Sequence, residues 1–539
     1  MEEFQPGKWV TLEQETMESK TDGKALIDLT AYKGVALWWF IRFRFFHRVR
    51  TTSLIRSLTK NTLIFSLADF IYDFTTFLTC RTISSLLGKR PMGNGKTVMI
   101  TVHDRDWRNM PSATGRQWKG DLFFHSIISD LQKKGFRVVM VTPLKADLMS
   151  GVKTMIGRME HQQENLIHRE FNSYWSMKIW KMENDAKRSF RDVWRRASRD
   201  KGLISVLRRV GWEDELPYYF DNIFGYVAKS LEMARRLVDE ENPDFILVSS
   251  EHGIVQKSIM VAGKLKEIPT MALQHGTIGH IHKGYLSWKG SISESGDIGS
   301  PFCPIPDKTA VFGPYYFDLL TKAGAYPHDS VVVTGQPRYD ALVEASRFYD
   351  REAFCRKVGL DPKKKLVLVV TENLPIPDGK AFLKCVLVAL KGFPELQVVI
   401  KPHPAEIGEW YREVVREENA RGAILSKRAD TNEALYACDL FVASYSTVIL
   451  EATILGKLGV TAYLAKGRDP APYFKEVTLR VYRKEDLGPA IRKALYDADT
   501  KELLKKSREK FVWEHAYKID GKATERVVDI VEEMVSERK

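Results

Sequence analysis

The sequence predicts an α/β protein in which two doubly wound, Rossmann-type domains face each other across a cleft. Two successive series of short runs rich in β-branched and aromatic residues alternate with segments of helical spacing, as in βαβ units. The chain of 539 residues is also too long for one ordinary domain. We therefore expect an N-terminal helical segment (1–95), an N-terminal acceptor domain (96–340) with a helical insertion (about 151–241), and a C-terminal nucleotide-donor domain (341–539).

The composition limits the classes of partner. Hydrophobic residues make up 44% and charged residues 28% of the chain, which is ordinary for a folded protein. The net charge of +13 favours an acidic partner such as nucleic acid, anionic lipid or a phosphorylated substrate. We expect no nucleic-acid partner, because no RNA- or DNA-binding motif accompanies the charge. Scattered cysteines and a polar, acidic start predict a cytoplasmic protein with reduced thiols.

The N-terminal segment has the pattern of a membrane-contacting helix. Residues 29–68 contain no acidic side chain, and their basic residues interleave with a Trp/Phe-rich run from Leu37 to Phe46. Such a helix is typical of in-plane contact with an anionic membrane, here the inner face of the cell membrane; the alternative is a basic helical pair packed on the protein itself. A second apolar run over 62–80 is about long enough to span a bilayer, but Asp69 and Asp73 would be costly there.

The first domain begins with a βαβ unit and carries polar residues after its strands. Strands are predicted at 97–102 and 136–142, with a helix between them. Because parallel sheets bind ligands at the carboxyl ends of their strands, the loop after the first strand is a candidate substrate loop. Its Asp104 and Asp106 are candidate acceptor-binding residues, although a solvated, self-paired charge cluster would have the same pattern.

Histidines follow two further strands of this domain. The strand predicted at 269–274 leads into His275 and a glycine. The imidazole can therefore point into a cleft, and the glycine, which has no side chain, allows a close approach of the backbone. Histidine titrates near neutrality, which suits removal of a proton from a hydroxyl, and His275 is therefore the predicted catalytic base. His252, which also follows a strand, and His280 are candidate acceptor-binding residues. Beyond a strand at 330–334, Arg338 is predicted either to hold a phosphate or to pair with Asp340 at a hinge.

The C-terminal domain carries two strand-end phrases suited to phosphate. The strand at 397–400 precedes Lys401-Pro-His403-Pro, which offers cations to a departing nucleotide phosphate. The strand at 440–443 precedes a hydroxyl-bearing turn and an apolar helix, whose free N–H groups can bind an anion. Ser446 and Thr447 are predicted donor-binding residues, and Glu451, one turn further, is positioned for ribose hydroxyls. Since no cluster of metal-ligating carboxylates is visible, we expect no metal and no required cofactor.

A family resemblance rests on four phrases of this chain, which are Gln274-His275-Gly276, Gly335-Gln336-Pro337-Arg338-Tyr339-Asp340, Lys401-Pro402-His403-Pro404 and Ser444-Tyr445-Ser446-Thr447. In order and rough spacing they are similar to the CDP-glycerol glycerophosphotransferases and to related surface-polysaccharide glycosyltransferases of the GT-B fold. The resemblance covers about residues 243–476 and implies a GT-B-like α/β fold, peripheral membrane association, and catalysis or donor binding by His275 and His403. Two residues depart from the family pattern, because Gln274 replaces a usual tryptophan and Ser444 a usual acid.

These observations predict a transferase that moves a glycosyl or glycerophosphate group from a nucleotide-activated donor to a hydroxyl of a cell-surface polymer or lipid-linked acceptor. The donor nucleotide stays open among CDP-, CMP- and UDP/GDP-linked compounds. One alternative is a sugar-nucleotide 2-epimerase, which shares the fold and a phosphate-binding serine turn but needs no membrane contact. The other alternative is a non-catalytic module that binds nucleotide or polymer.

Overall fold

The computed structural model describes most of the chain. The described residues are 8–46, 62–87, 95–103, 107–110, 118–144, 148–160, 166–464, 474 and 476–538, without Ile281, Ala405, Arg421, Arg428 and Tyr445. Asp104 and Asp106, the candidate acceptor-binding acids, lie outside these residues.

The first sheet has seven parallel strands. Its order is β7-β6-β5-β4-β1-β2-β3, so the direction of winding reverses between β1 and β4. The central strands are buried along their whole length, as expected where helices cover both faces of a parallel sheet. The strands are β1 (Thr97–Thr101), β2 (Arg137–Thr142), β3 (Leu166–Glu170), β4 (Phe245–Val248), β5 (Thr270–Leu273), β6 (Lys308–Val311) and β7 (Val331–Val333).

The second sheet has six parallel strands in the order β10-β9-β8-β11-β12-β13, and its winding reverses between β8 and β11. Two doubly wound sheets in succession confirm the predicted α/β, GT-B-like fold. Ligands of such sheets bind beside the reversal point, at the carboxyl ends of the strands. The strands are β8 (Leu366–Val370), β9 (Gln397–Lys401), β10 (Gly422–Ile424), β11 (Leu440–Ala443), β12 (Leu458–Ala462) and β13 (Leu479–Val481).

Helices cover both sheets and form the N-terminal segment. Those that precede β8 are α1 (Lys8–Met17), α2 (Trp38–Phe46), α3 (Thr62–Leu87), α4 (His125–Lys133), α5 (Leu148–Met159), α6 (Met177–Ala197), α7 (Lys201–Val210), α8 (Phe224–Glu241), α9 (Ile254–Lys264), α10 (Pro314–Lys322) and α11 (Arg351–Val358). Those that follow β8 are α12 (Ile376–Leu390), α13 (Trp410–Glu417), α14 (Thr431–Ala437), α15 (Val448–Ile454), α16 (Leu487–Tyr496), α17 (Ala498–Ala516) and α18 (Ala523–Glu537).

Two features depart from the predicted order of elements. The stretch 151–241 is mostly helical, but it contains β3, which forms the edge of the first sheet. The last helix, α18, packs its valines into the core of the first sheet although it follows the second in sequence. Asp340 fixes the start of α18 by accepting hydrogen bonds from the N–H groups of Ala523 (3.0 Å) and Thr524 (2.8 Å).

The aromatic helix α2 is part of the protein core. Trp38, Trp39 and Phe40 are at most 1% exposed. Arg42 is also buried, and its Nε donates to the Glu13 carboxylate at 2.9 Å. A helix lying in a membrane interface would present this face to lipid, so the prediction that α2 makes the membrane contact is wrong. The alternative, a basic helix packed on the protein itself, describes α2.

Helix α3 is fixed to the insertion helices by buried charges. Asp69 pairs with Lys187 of α6 at 3.1 Å, and Asp73 pairs with Lys229 of α8 at 2.6 Å. Glu183 lies between the two lysines, at 2.9 Å and 3.4 Å from their ammonium groups. The two acids that would be costly in hydrocarbon therefore face protein cations. Within the described ranges, no helix combines the length and apolar content needed to cross a membrane.

Candidate functional site

The carboxyl edges of the two sheets meet at two of the predicted phrases. The His275-Gly276 loop follows β5, and the Ser446-Thr447 turn follows β11. A Cβ atom placed on Gly276 would lie 3.6 Å from Thr447 Cγ2, which is van der Waals contact. His275, the predicted base in the first domain, therefore directly precedes Gly276, which lies beside the predicted phosphate turn of the second domain.

Buried amide side chains shape the loop that carries His275. Gln274 Nε2 donates to Gly276 O at 2.7 Å, and Gln274 Oε1 accepts from Phe312 N–H at 2.8 Å. Gln336 Nε2 donates to Gln274 O at 3.0 Å, and both glutamines are fully buried. Because an amide both donates and accepts hydrogen bonds, Gln274 binds two backbone groups and fixes the shape of the loop that carries His275. Gln274 is also the position at which the resembled family usually has a tryptophan.

His275 belongs to a cluster of histidine rings at the end of the first sheet. The His252 ring centroid lies 5.5 Å from that of His275 and 5.4 Å from that of His282. Phe43 of α2 covers the cluster, with its ring 4.4 Å from His252 and 5.3 Å from His282. Burial, and then the neighbouring His282 and His275, hold the pKa of His252 well below its usual value. His252 is consequently a neutral neighbour for His275 at physiological pH. His280 is half-buried on the same loop.

The phosphate turn is compact and ends a buried strand. Val448 N–H donates to Ser446 Oγ at 3.3 Å, and Leu450 N–H donates to Thr447 O at 3.0 Å. Both hydroxyl-bearing residues are half-buried. Helix α15 ends at Ile454, and Gly456, two residues further, has a φ of 71°, the left-handed conformation expected after a helix.

An ion pair joins the two domains beneath this turn. Arg338 Nη2 lies 2.6 Å from Glu451 Oε1, and the two side chains are 11% and 7% exposed. Arg338 follows β7 in the first domain, whereas Glu451 belongs to α15 in the second. Asp340, the partner considered for Arg338 from sequence, instead binds the start of α18. Arg338 therefore ties the domains together, and phosphate binding by Arg338 and ribose binding by Glu451 stay predictions.

Lys401 shapes the loop that carries His403. Its ammonium group is buried and donates to the backbone carbonyls of Pro402 and Lys427, each at 2.9 Å. His403 N–H donates to Thr371 Oγ1 at 3.2 Å, so the loop is also tied to the end of β8. His403 itself is half-buried. The predicted contact between Lys401 and a phosphate, like the role of His403, stays a prediction.

Sequence reasoning missed two residues at this cleft. Phe43 was assigned to a membrane face, and nothing local in the sequence indicates its contact with histidines about 200 residues away. Glu372 follows β8 directly after Thr371, and the same strand-end rule that selects Ser446 would have selected it. Among the residues that the structure describes, no group of three or more His, Cys, Asp or Glu side chains is arranged to hold a metal ion.

Comparison with known proteins gives structural likenesses only. No family model and no curated protein sequence matches the chain. Among solved structures, the chain is similar to S. aureus MnaA with UDP, at 14% identity and a TM-score of 0.48 over 82% of this chain and 97% of that one. It is also similar to a glycosyltransferase from Rickettsia africae, at 11% identity and a TM-score of 0.46 over 82% and 99%. The wall teichoic acid polymerase TagF with CDPG gives 10% identity and a TM-score of 0.46 over 82% and 89%.

Proposed function

We propose that this protein is a transferase that moves a glycosyl or glycerophosphate group from a nucleotide-activated donor to a hydroxyl of a cell-surface polymer or lipid-linked acceptor. The observation that supports the proposal is that the loop of His275 lies beside the Ser446-Thr447 turn, so that a Cβ atom placed on Gly276 would be 3.6 Å from Thr447 Cγ2. A transfer of this kind needs a base for the acceptor hydroxyl close to donors for the departing phosphate.

Each half of the cleft then has a chemical task. In the proposed reaction the His275 imidazole removes the acceptor proton as the hydroxyl oxygen attacks the transferred group. The bond to the nucleotide phosphate breaks, and the charge that gathers on that phosphate is stabilised by the hydroxyls of Ser446 and Thr447. His403 lies on the neighbouring loop and is a second donor to the phosphate. The neutral state of His252 supports the base role, because a cation beside His275 would oppose its protonation.

Nucleotide titration tests the donor site. We expect one of CDP, CMP, UDP and GDP to bind most tightly, and Thr447→Val to weaken that binding about tenfold or more, because a hydrogen bond to a charged phosphate is lost. Isothermal titration calorimetry measures both affinities. Thr453→Val is the matched control, since its hydroxyl binds Ile449 O inside the same helix. If no nucleotide binds the wild-type protein, or if Thr447→Val binds as tightly as wild type, the proposed donor site is wrong.

The same nucleotides separate the alternatives. A sugar-nucleotide 2-epimerase would change the configuration of the sugar in the absence of any acceptor, whereas a transferase releases the nucleotide only when an acceptor or water receives the group. A non-catalytic module would bind nucleotide and do neither. Product analysis with a UDP-sugar and with CDP-glycerol therefore distinguishes the three functions.

We also propose that the outer face of α3 contacts an anionic membrane surface. Leu67, Ile71, Phe74 and Leu78 are between 39% and 56% exposed, and their spacing of four, three and four residues places them on one stripe of the helix. The two acids of α3 lie on its protein-facing side, where they bind the lysines of α6 and α8. The net charge of +13 complements anionic lipid. An apolar stripe on a helix suits the interface of such a membrane.

Vesicle binding tests this surface. The double variant Ile71→Glu with Leu78→Glu is expected to reduce co-sedimentation with phosphatidylglycerol vesicles about tenfold or more, because it buries charge where the stripe meets lipid. The control is Leu265→Glu, which alters another exposed leucine, on the first domain. Equal sedimentation of the double variant and the wild type would contradict a membrane role for α3.

A further inference from the structure

Glu372 occupies the reversal point of the second sheet. It lies two residues beyond β8, the strand from which the sheet winds in both directions, and β11 with its phosphate turn is the neighbouring strand. Its backbone carbonyl accepts a hydrogen bond from Leu374 N–H at 2.8 Å, which forms a tight turn before α12. Glu372 thus stands between the His403 loop, tied to Thr371, and the turn that holds Ser446.

Glu372 is a partly exposed residue, and one oxygen of its carboxyl group has no hydrogen bond from the described residues. Its Oε1 atom is buried and has no hydrogen-bond partner among the described residues. The Glu406 carboxylate accepts a hydrogen bond from Thr371 Oγ1, although its Oε2 atom is likewise buried without a partner in the described part of the chain. In the first domain, the Glu251 carboxylate accepts from Tyr326 and Thr309. Burial raises the pKa of Glu372 well above its usual value. A buried acceptor without a partner is costly, and proteins keep few of them without a function.

We propose that Glu372 is a ligand-binding residue of the donor half, whose carboxylate accepts hydrogen bonds from a pair of neighbouring hydroxyl groups on the nucleotide-activated donor. This inference rests on the proposed function. The hydroxyl pair is either the ribose diol or a diol of the transferred group, and both present the same two O–H donors. Glu451, the acid predicted for this task, already binds Arg338, whereas Glu372 is a strand-end acid of the same domain with an acceptor atom to offer.

Binding of the diol is expected to change the protonation of the Glu372 carboxyl group. Burial raises the pKa of this carboxyl group, so at a given pH a larger fraction of it is protonated than of an exposed glutamate. Two hydroxyl donors stabilise the ionised form, so the carboxyl group loses its proton when the donor binds. That proton passes to the buffer, and no bond of the donor breaks in this step.

Calorimetry in two buffers of different ionisation enthalpy measures this proton. With CDP and UDP as probes at pH 6, the tighter-binding nucleotide is expected to release up to one proton from the wild-type protein. If the ribose supplies the diol, Glu372→Gln is expected to bind that nucleotide about tenfold more weakly and to release none; if the transferred group supplies it, the same loss is expected with CDP-glycerol. Its melting temperature should not fall, because the amide needs no charge to be buried; this distinguishes ligand binding from a structural role. Glu395→Gln, an exposed acid of the same domain, is the control.

Hydroxyl-deficient probes identify the source of the diol. If the ribose diol binds Glu372, the 2′,3′-dideoxy nucleotide binds the wild type and Glu372→Gln equally. If the transferred group supplies it, the variant discriminates CDP-glycerol from CDP less than the wild type does. The inference is overturned if Glu372→Gln keeps wild-type affinity and proton release for every probe. Failure of all nucleotides to bind the wild-type protein would instead overturn the proposed function itself.

Discussion

Replacement of His275 by alanine is expected to lower turnover by about 10²–10⁴-fold, which is the usual contribution of a positioned general base. The loss should appear in kcat, while the affinity for the nucleotide stays within about twofold, because the phosphate is bound by groups of the other domain. Initial-rate measurements with donor and acceptor give kcat, and calorimetry gives the nucleotide affinity. Both are needed to separate a catalytic role from a binding role.

An exposed histidine of the first domain provides the control for His275→Ala. His328→Ala removes an exposed imidazole of the same domain and should leave kcat unchanged. Turnover that survives in His275→Ala would exclude this residue as the base. Loss of nucleotide binding together with turnover would assign His275 to the donor site instead. Turnover abolished with nucleotide binding intact would exclude the non-catalytic module.

The strand ends could be predicted because their signals are local. A buried parallel strand is a short β-rich run, and the residue that follows it lies at the ligand-binding edge whatever the rest of the chain does. This reasoning located the turns that carry His275 and Thr447, and the rule that parallel strands share one edge made their meeting across the cleft an expected result. The contact between Gly276 and Thr447 is its structural counterpart.

The role of the N-terminal segment could not be predicted, because burial against protein and burial against lipid select the same residues. The partners of Trp38 and Phe45 include Trp212 and Tyr219, which are more than 160 residues further along the chain. The spacing of the apolar residues within α2 does not show whether they pack against protein or against lipid. The apolar pattern was informative for α3 only after the structure had assigned its two acids to protein cations.

The packing of the chain after the second sheet could not be predicted from the sequence either. Helix α18 returns to the first sheet because Asp340 caps its start and its valines complete the core beside β1. The sequence contains a helical, charged tail, and a tail of that pattern fits either domain. Likewise, Arg338 pairs with an acid more than 110 residues away rather than with the adjacent candidate. Local signals thus predict which residues follow a strand more readily than the contacts that position those residues.

The buried charges between α3 and the insertion predict the largest effect on stability. Lys229 is 5% exposed and lies within 3.4 Å of both Asp73 and Glu183. Burial lowers its pKa, but the carboxylates of Glu183 and Asp73 outweigh burial and raise it well above the usual value, so Lys229 stays charged. Lys229→Met is expected to reduce the free energy of unfolding by about 3–5 kcal/mol, because it leaves buried carboxylates without their cation.

Urea-induced unfolding followed by circular dichroism measures this loss, and Lys266→Met is the matched control. Lys266 also forms an ion pair, with Asp239, but both side chains are about half exposed, so its removal should cost less than about 1 kcal/mol. Adding Asp73→Asn to Lys229→Met should recover part of the loss, since one uncompensated charge is removed. Equal stability of the two lysine variants would mean that the network does not hold α3 in place. The stripe of α3 would then have no fixed orientation toward a membrane, and the vesicle-binding proposal would lose its structural basis as well.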